Sequence, residues 1–445
     1  MKFHNLILAT VVLAALVGAL YWSDHRKSID NTVKASGDTS PSILKLDSSS
    51  ITKLTLKNKD APPIVLDKNA SGSWQISEPQ PLAADQSAVS NTLSTLSALD
   101  SERLVDDKIS DAKRFGLDPA AVEVDLTERN NKSQKLLLGD QTPTGNAIYA
   151  MLAGDSRLFT IPAYEKNSID KSVNDLRDKR LITEDADKIS RIDLFRKNQN
   201  IEFGRSKDEW QILKPRPLRA DDVEVGDLSR KLADAKMDVS GLESNGSSAA
   251  STFAHAAPVA SIKVTDASGT QELEIRKVKD TYYAKSSVVA GVYKVDASLG
   301  TALDKGLNDF RSKKLFDFGF TDPDKIEMHS GSRTYYLTKG GSDWWSGDGR
   351  KVDPETAESF ISQVRDLNAT KLLDSGSGNP EIELTVTSGN GKKIEKVSIA
   401  KSGSDFVARR ENDPTLYEVD SNSITQLQKA AGDMKPATLS SAQKR

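Results

Sequence analysis

Trp74-Gln75-Ile76 and Trp210-Gln211-Ile212 are one short strand written twice, 136 residues apart (210 − 74). That spacing is the size of a domain and far exceeds a solenoid repeat. Upstream of each copy, apolar and polar residues alternate as in a half-buried strand: Ile51, Leu54 and Leu56, answered by Ile189, Ile192 and Leu194. Asn69-Ala70-Ser71-Gly72 supplies a hairpin turn before the first tryptophan. After it, Pro79 and Pro81 match Pro215 and Pro217; proline cannot donate to a sheet, so the chain leaves the strand here. Trp344-Trp345 marks a third, worn copy.

A helix follows each tryptophan strand. Asp85, Asp221 and Asp353 stand just before apolar residues at helical spacing: Val89, Leu93, Leu96 and Leu99 in the first copy; Val225, Leu232 and Ala235 in the second; Ile361, Val364 and Leu367 in the third. That place suits an N-cap, whose carboxylate accepts from free backbone N–H groups. Three matched catalytic acids are the competing reading, and the amphipathic helix behind each one favours capping. The second half of each copy is rich in strands, with Val122, Val124 and Leu126 answered by Ile262 and Val264. Leu138-Gly139-Asp140-Gln141-Thr142-Pro143-Thr144-Gly145 lies between two strands; without a following Gly-Lys-Ser/Thr or a helix, it reads as a hairpin and not a phosphate loop.

A closing helix repeats most closely. Asp170, Asn174, Asp175, Arg177, Lys179 and Leu181 match Asp304, Asn308, Asp309, Arg311, Lys313 and Leu315, each pair 134 residues apart. The third copy has a shorter equivalent around Ile424 to Ala431 and lacks the basic tail. Since no copy follows it, the tail is read as coupling one unit to the next through Arg177, Lys179, Arg180, Arg311, Lys313 and Lys314, with the two arginines pairing to acids across the junction. A solvated basic face at a helix C-terminus is the open alternative. The polar stretch Ser244 to Ser251 reads as a loop inside a unit.

The 445 residues allow about three domains at ~150 residues each. Hydrophobic content of 37% permits full cores, and a net charge of −3 gives no support for a nucleic-acid face. Cysteine is absent, which excludes disulfides, thiolate metal sites, cysteine nucleophiles and a lipid-modified cysteine anchor. Residues 6–22 carry no charge over 17 residues, about 26 Å as a helix. A cleaved signal peptide would share the basic start and apolar middle; the bulky Leu20-Tyr21-Trp22 end favours an uncleaved signal anchor with an interfacial aromatic belt. The expected organisation is therefore an anchor with flanks over 1–27 and a flexible tether over 28–42. Repeat units follow at 43–185, 186–321 and 322–434, then a polar tail at 435–445. The fold class is α+β, each unit a mainly antiparallel sheet with two principal helices. The bulk of the chain is expected outside the cytoplasm, held to the inner membrane.

The Trp-x-Ile…Pro…Ala-Asp segment at 74–85, Phe115-Gly116-Leu117-Asp118-Pro119, the Leu138 to Gly145 loop with Tyr149-Ala150, and Asp175-Leu176-Arg177-Asp178-Lys179-Arg180 together resemble the domain-of-unknown-function family 4340. The resemblance covers the chain after the tether and weakens through the third unit. It implies a single-anchor envelope protein, of a kind often encoded beside an ABC transporter permease and a gliding-motility-type auxiliary protein. It carries over no catalytic residues. The residues themselves point to no catalytic, cofactor or metal site: His4, His25, His255 and His329 are scattered, and no Gly-x-Ser-x-Gly elbow occurs. Two function classes follow. The leading one is a non-enzymatic, membrane-tethered scaffold or adaptor contacting a transporter through sheet edges and grooves between units. The alternative is an extracytoplasmic carboxylate-dependent hydrolase or a glycan- or peptide-binding protein.

Overall fold

A computed structural model describes residues 43–44, 46–207, 209–240, 247–373, 375–376 and 378–437. The expected membrane segment, the tether and residues 438–445 lie outside the described residues. Among the described residues, no helix is long and apolar enough to cross a membrane.

Three antiparallel sheets carry the chain. The first contains β1 (Ile51–Asn58), β2 (Ile64–Lys68), β3 (Trp74–Glu78), β4 (Leu82–Ala83), β5 (Arg103–Asp106), β6 (Val122–Glu128), β7 (Ser133–Gln141), β8 (Ala147–Leu152) and β9 (Leu158–Pro162), in the order β4-β3-β2-β1-β6-β7-β8-β9-β5. The second contains β10 (Arg191–Arg196), β11 (Gln199–Ser206), β12 (Glu209–Lys214), β13 (Leu218–Arg219), β14 (Ala257–Thr265), β15 (Thr270–Val278), β16 (Thr281–Ser286) and β17 (Val292–Val295), in the order β13-β12-β11-β10-β14-β15-β16-β17. The third contains β18 (Lys325–Ser330), β19 (Arg333–Gly340), β20 (Asp343–Ser346), β21 (Lys371–Leu373), β22 (Pro380–Ser388), β23 (Lys393–Ser402), β24 (Asp405–Arg410) and β25 (Leu416–Val419), in the order β20-β19-β18-β22-β23-β24-β25-β21. Each sheet joins its two hairpin series through one central pair: Leu54 opposite Leu126, Ile192 opposite Val264, and Ile326 opposite Val386. The α+β architecture of three tandem related units is thus present in the fold.

Alternation explains which face is buried. In β6, Val122, Val124 and Leu126 point into the core while Glu123 and Asp125 face outward, where Lys57 and Lys135 meet them at 3.2–3.4 Å. The inward face is closed by helices. In the first module these are α1 (Gln86–Ser97), α2 (Ala163–Ile169) and α3 (Val173–Leu176). The second has α4 (Asp222–Ala233), α5 (Ser247–His255) and α6 (Ala297–Leu303), and the third has α7 (Pro354–Arg365) and α8 (Ser421–Gly432). Val89, Leu93 and Leu96 of α1 pack into the core of the first sheet, and each such side chain contributes about 1.5–3 kcal/mol by leaving water. Asp85, Asp221 and Asp353 are N-caps, accepting from N–H groups two or three residues on at 3.0–3.2 Å. Trp74, Trp210 and Trp344 are buried in the three cores, and each carries a cation over its ring: Lys68 at 5.5 Å, Arg205 at 5.7 Å and Lys339 at 5.6 Å.

Three local expectations change. Ser247–His255 is a helix and not a loop; Phe253 is its buried anchor. The closing helix ends early: in the first module it is two short pieces, and Arg177 is already extended at φ −77° and ψ 146°. Its continuation runs along the edge of its own sheet, with Asp85 N–H donating to Leu176 O and Asp178 N–H to Ala83 O, both at 2.8 Å. Such edge pairing satisfies backbone groups that a helix end would leave open. The third module is complete in the same respect. Its closing helix α8 spans 12 residues. Lys435 to Ala437, expected in the polar tail, occupy the matching edge, with Asp353 N–H donating to Lys435 O and Ala437 N–H to Lys351 O at 2.8 Å.

The chain divides into two compact bodies at Lys179/Arg180. The first holds one hydrophobic core, from Ile43 to Leu176. The second holds two, from Leu181 to Phe310 and from Leu315 to Ala431.

Candidate functional site: the joint between the second and third modules

Within the second body, the segment after α6 serves two sheets in turn. Asp221 N–H donates to Phe310 O at 2.8 Å and Ser312 N–H to Arg219 O at 3.0 Å, which lays residues 310–312 on the edge of the second sheet. Three residues later, Ala369 N–H donates to Lys313 O at 2.8 Å and Leu315 N–H to Leu367 O at 3.1 Å, just after helix α7 of the third module. Leu315, Phe316 and Phe318 are then buried in the third core. An extended strap therefore leaves one module and is inserted into the next.

Two side chains of the third sheet hold that strap. Arg410 donates to Leu315 O, and Glu395 accepts from Asp317 N–H at 3.0 Å. The two residues are themselves paired at 2.9 Å and nearly buried. The second module grips its own incoming strap at the same ladder positions. Ser286 Oγ donates to Leu181 O at 2.5 Å, and Gln271 Oε1 accepts from Thr183 N–H at 2.8 Å. Leu181 N–H donates to Ala235 O at 2.8 Å, as Leu315 does to Leu367. Register confirms the equivalence: Val264 faces Gln271 and Leu273 faces Ser286, as Val386 faces Glu395 and Val397 faces Arg410.

Arg219, on the short edge strand β13, adds a polar lock. Its guanidinium contacts Asp317 at 2.5 Å, Lys314 O at 2.8 Å, Tyr417 Oη at 3.2 Å and Asp413 at 4.0 Å. Burial works against its charge, but Asp317 and Tyr417 outweigh it, so its pKa lies above the ordinary arginine value. Tyr417 donates to Asp413 at 2.7 Å. Burial raises the proton affinity of the Asp413 carboxyl, yet hydrogen bonds from Tyr417 and Thr415 and the Arg219 charge prevail and hold its pKa below 3.8.

The six basic residues singled out in the sequence act unequally. Arg311 is buried and reaches across to Thr415 Oγ1 at 2.8 Å, with Asn308 Oδ1 at 3.0 Å. Thr415 thus ties Arg311 to the third module through a hydroxyl, while Arg219 reaches the acids Asp317 and Asp413. Lys313 and Lys314 contribute backbone carbonyls, with exposed side chains. Arg177 is buried and bridges Ala84 within the first body; Lys179 is half-buried; Arg180 is exposed and bridges Lys236 within the second body. Arg219 was missed. Its one signal was arginine where the first module has Ala83, after matching Pro-x-Pro-Leu segments.

Beside this lock lies a cavity of about 360 Å³ whose lining includes Trp210, Arg219, Lys314, Phe316, Phe320 and Arg365. Phe320 is 97% exposed. Its loop is held from beneath: Arg365 donates to Gly319 O at 2.9 Å, sits 5.5 Å from the Phe318 ring and meets Asp322 at 3.5 Å. An exposed phenylalanine on a fastened loop is unusual for a soluble surface and typical of a contact site.

Other candidates for chemistry are dispersed. Glu184 and Asp266 share the Ser268 hydroxyl at 3.1 and 2.7 Å; the Asp266 carboxyl keeps Glu184 above its usual pKa, and Asp266 itself is held down at about 2. His329 pairs with Glu327 at 2.9 Å and Thr334 at 3.0 Å, while His255 contacts Ser251 O at 3.0 Å. Among the described residues no group of three or more His, Asp or Glu could hold a metal. The glycine-bracketed loop is a packed hairpin: a Cβ on Gly139 would stand 2.1 Å from Phe115 O, and Phe115 meets Tyr149 edge-on at 4.9 Å.

A family model described as Domain of unknown function (DUF4340) matches residues 74–213 and again 210–386. No curated protein matches the chain. Among solved structures, the chain is similar to a candidate DNA polymerase III beta subunit from Eubacterium rectale at 8% identity. The match covers 85% of this chain and 93% of that one at a TM-score of 0.16, which carries no argument about fold or function.

Proposed function

We propose, from the premise that the chain belongs to the family of the domain of unknown function DUF4340, a non-enzymatic, membrane-tethered scaffold or adaptor accessory to an envelope ABC transport system. In this reading residues 6–22 anchor the chain in the inner membrane as a single pass, and the modules stand on the extracytoplasmic side. The joint of the second and third modules is the contact surface. The observation that carries the reading is Phe320, fully exposed on a loop fastened by Arg365 at the mouth of the joint cavity. A rigid aromatic anchor beside a shallow, mixed-charge groove suits protein recognition better than turnover of a small substrate.

The test is a photo-crosslinking residue in place of Phe320 in the full-length chain, activated in native membranes, with Tyr164 of the first module as the control position. Adducts to a transporter permease or its auxiliary protein from position 320 are the expected result. Repeated failure to recover any membrane transport component would overturn the proposal. The hydrolase alternative has one observation in its favour, the Glu184–Asp266 carboxyl pair with its separated proton affinities. It requires that Glu184→Gln abolish glycan or peptide hydrolysis by the purified chain.

A further inference from the structure

The three sheets share one register around their central pairs. Three residues further along, each sets one outward pair: Lys57 opposite Glu123, Phe195 opposite Ser261, and His329 opposite Glu383. On the other side, Phe195 stands opposite Asn200 as His329 stands opposite Thr334. Successive side chains alternate across a strand, so these groups lie on the face turned away from the helices.

Two of the three positions satisfy themselves. Lys57 meets Glu123 at 3.3 Å, and His329 shares hydrogen bonds with Thr334 at 3.0 Å and Glu327 at 2.9 Å. The second sheet has a phenyl ring there, which offers Asn200 no hydrogen-bonding group. Among the described residues, the Asn200 Oδ1 atom is buried and accepts from no donor. Buried polar atoms are seldom left open in this way. Phe195 itself is 38% exposed. Together with Asn200, Val259, Ser261 and Glu274 it lines a cavity of about 550 Å³, a size that suits a small organic ligand. The charges around it are already matched. Arg196 and Lys197 both meet Asp304, at 2.6 and 3.0 Å, and Glu274 accepts from Arg276 at 2.7 Å.

We propose that this cavity is a binding site for a neutral N-acetylated sugar. An acetamido N–H is the donor that Asn200 Oδ1 lacks. The apolar face of the sugar ring lies on Phe195 with the acetyl methyl against Val259, and ring hydroxyls reach Ser261 and Glu274. A phosphate or a bare cation fits poorly, since either would have to break an existing ion pair to be neutralised. An apolar peptide side chain would cover the ring and leave Asn200 Oδ1 unpaired. The site holds the sugar without chemistry. It stands apart from the adaptor reading and from the joint cavity, so a chain that binds the sugar and no transport component, or the reverse, separates the two.

Titration calorimetry on the full-length chain in a sugar-free detergent tests it, with the N-acetylglucosamine trimer as the probe and maltotriose as the comparison. The trimer should bind saturably. Maltotriose, which has no acetamido group, should bind about tenfold more weakly or worse, the worth of one hydrogen bond. Asn200→Leu and Phe195→Ala should each weaken the trimer by about tenfold or more. Asn200→Leu gives up no bond within the chain, so it should melt no lower than the wild type, which marks the loss as one of ligand and not of fold. Phe195→His copies the third sheet, gives Asn200 a donor of its own, and should weaken the trimer as well. A wild type that ignores the trimer, equal affinity for maltotriose, or folded variants that bind like the wild type would overturn the proposal.

Discussion

Arg219 shows what one side chain can do at a joint. It bridges strap and sheet through Asp317, Tyr417 and Asp413, and its side chain retains 23% exposure. Replacing it with methionine keeps much of the volume but removes the cation nearest to Asp317 and Asp413, leaving Asp317 with Arg410 at 3.6 Å and Asp413 with Tyr417 and Thr415. A loss of about 2 kcal/mol in the stability of the third core follows, below the full cost of breaking a buried pair because water reaches part of the site. Urea denaturation followed at Trp344 would read it. Asp413 gives the joint an acid limit. Its folded pKa lies below 3.8, so its stabilising contribution is complete above that value and fades as pH falls through the lower, folded pKa. Thermal scans from pH 5 to pH 2 should show this loss in the wild type, and Asp413→Asn should flatten it. The caps were legible because capping is local: an aspartate, then helical periodicity. Arg219 was not, because its meaning depends on Tyr417, which lies 198 residues further along.

Elements were legible where period and punctuation agreed. The alternating strands, the Asn-Ala-Ser-Gly turn and the helices behind Asp85, Asp221 and Asp353 all match the fold. Ser247–His255 was obscured because its first turn is serine and alanine, with one large apolar anchor at Phe253. The strap was obscured for a different reason. Residues 177–181 continue the charge and spacing of the helix before them, and edge pairing with the sheet holds them straight from Arg177 onward. The third module's exit segment, Lys435 to Ala437, carries no basic run to match, yet pairs with its edge through its backbone in the same way, so this edge pairing lies in main-chain geometry more than in charge. The element-level prediction is modest. Asp221→Ala should cost about 1 kcal/mol by freeing the N–H groups of Val223 and Glu224, with the fold otherwise intact by circular dichroism.

At the scale of the molecule the chain follows one joining rule. Each core is closed by a strap from the segment before it, and each module lays its own exit segment along the edge beside its tryptophan hairpin. The domain-sized spacing of the tryptophans revealed the repetition; the straps at Leu181-Ile182 and Leu315-Phe316 could not be read, since two consecutive apolar residues after a basic run resemble any helix end. The most direct test of this rule is mechanical. Full-length chains held at both ends should lengthen in increments bounded by the core limits near 176/181 and 310/315. A module of that size releases on the order of 400 Å of extended chain. Increments that stop at these limits would support modules closed by inserted straps. A single event spanning all three sheets, or increments ending inside one sheet, would contradict it.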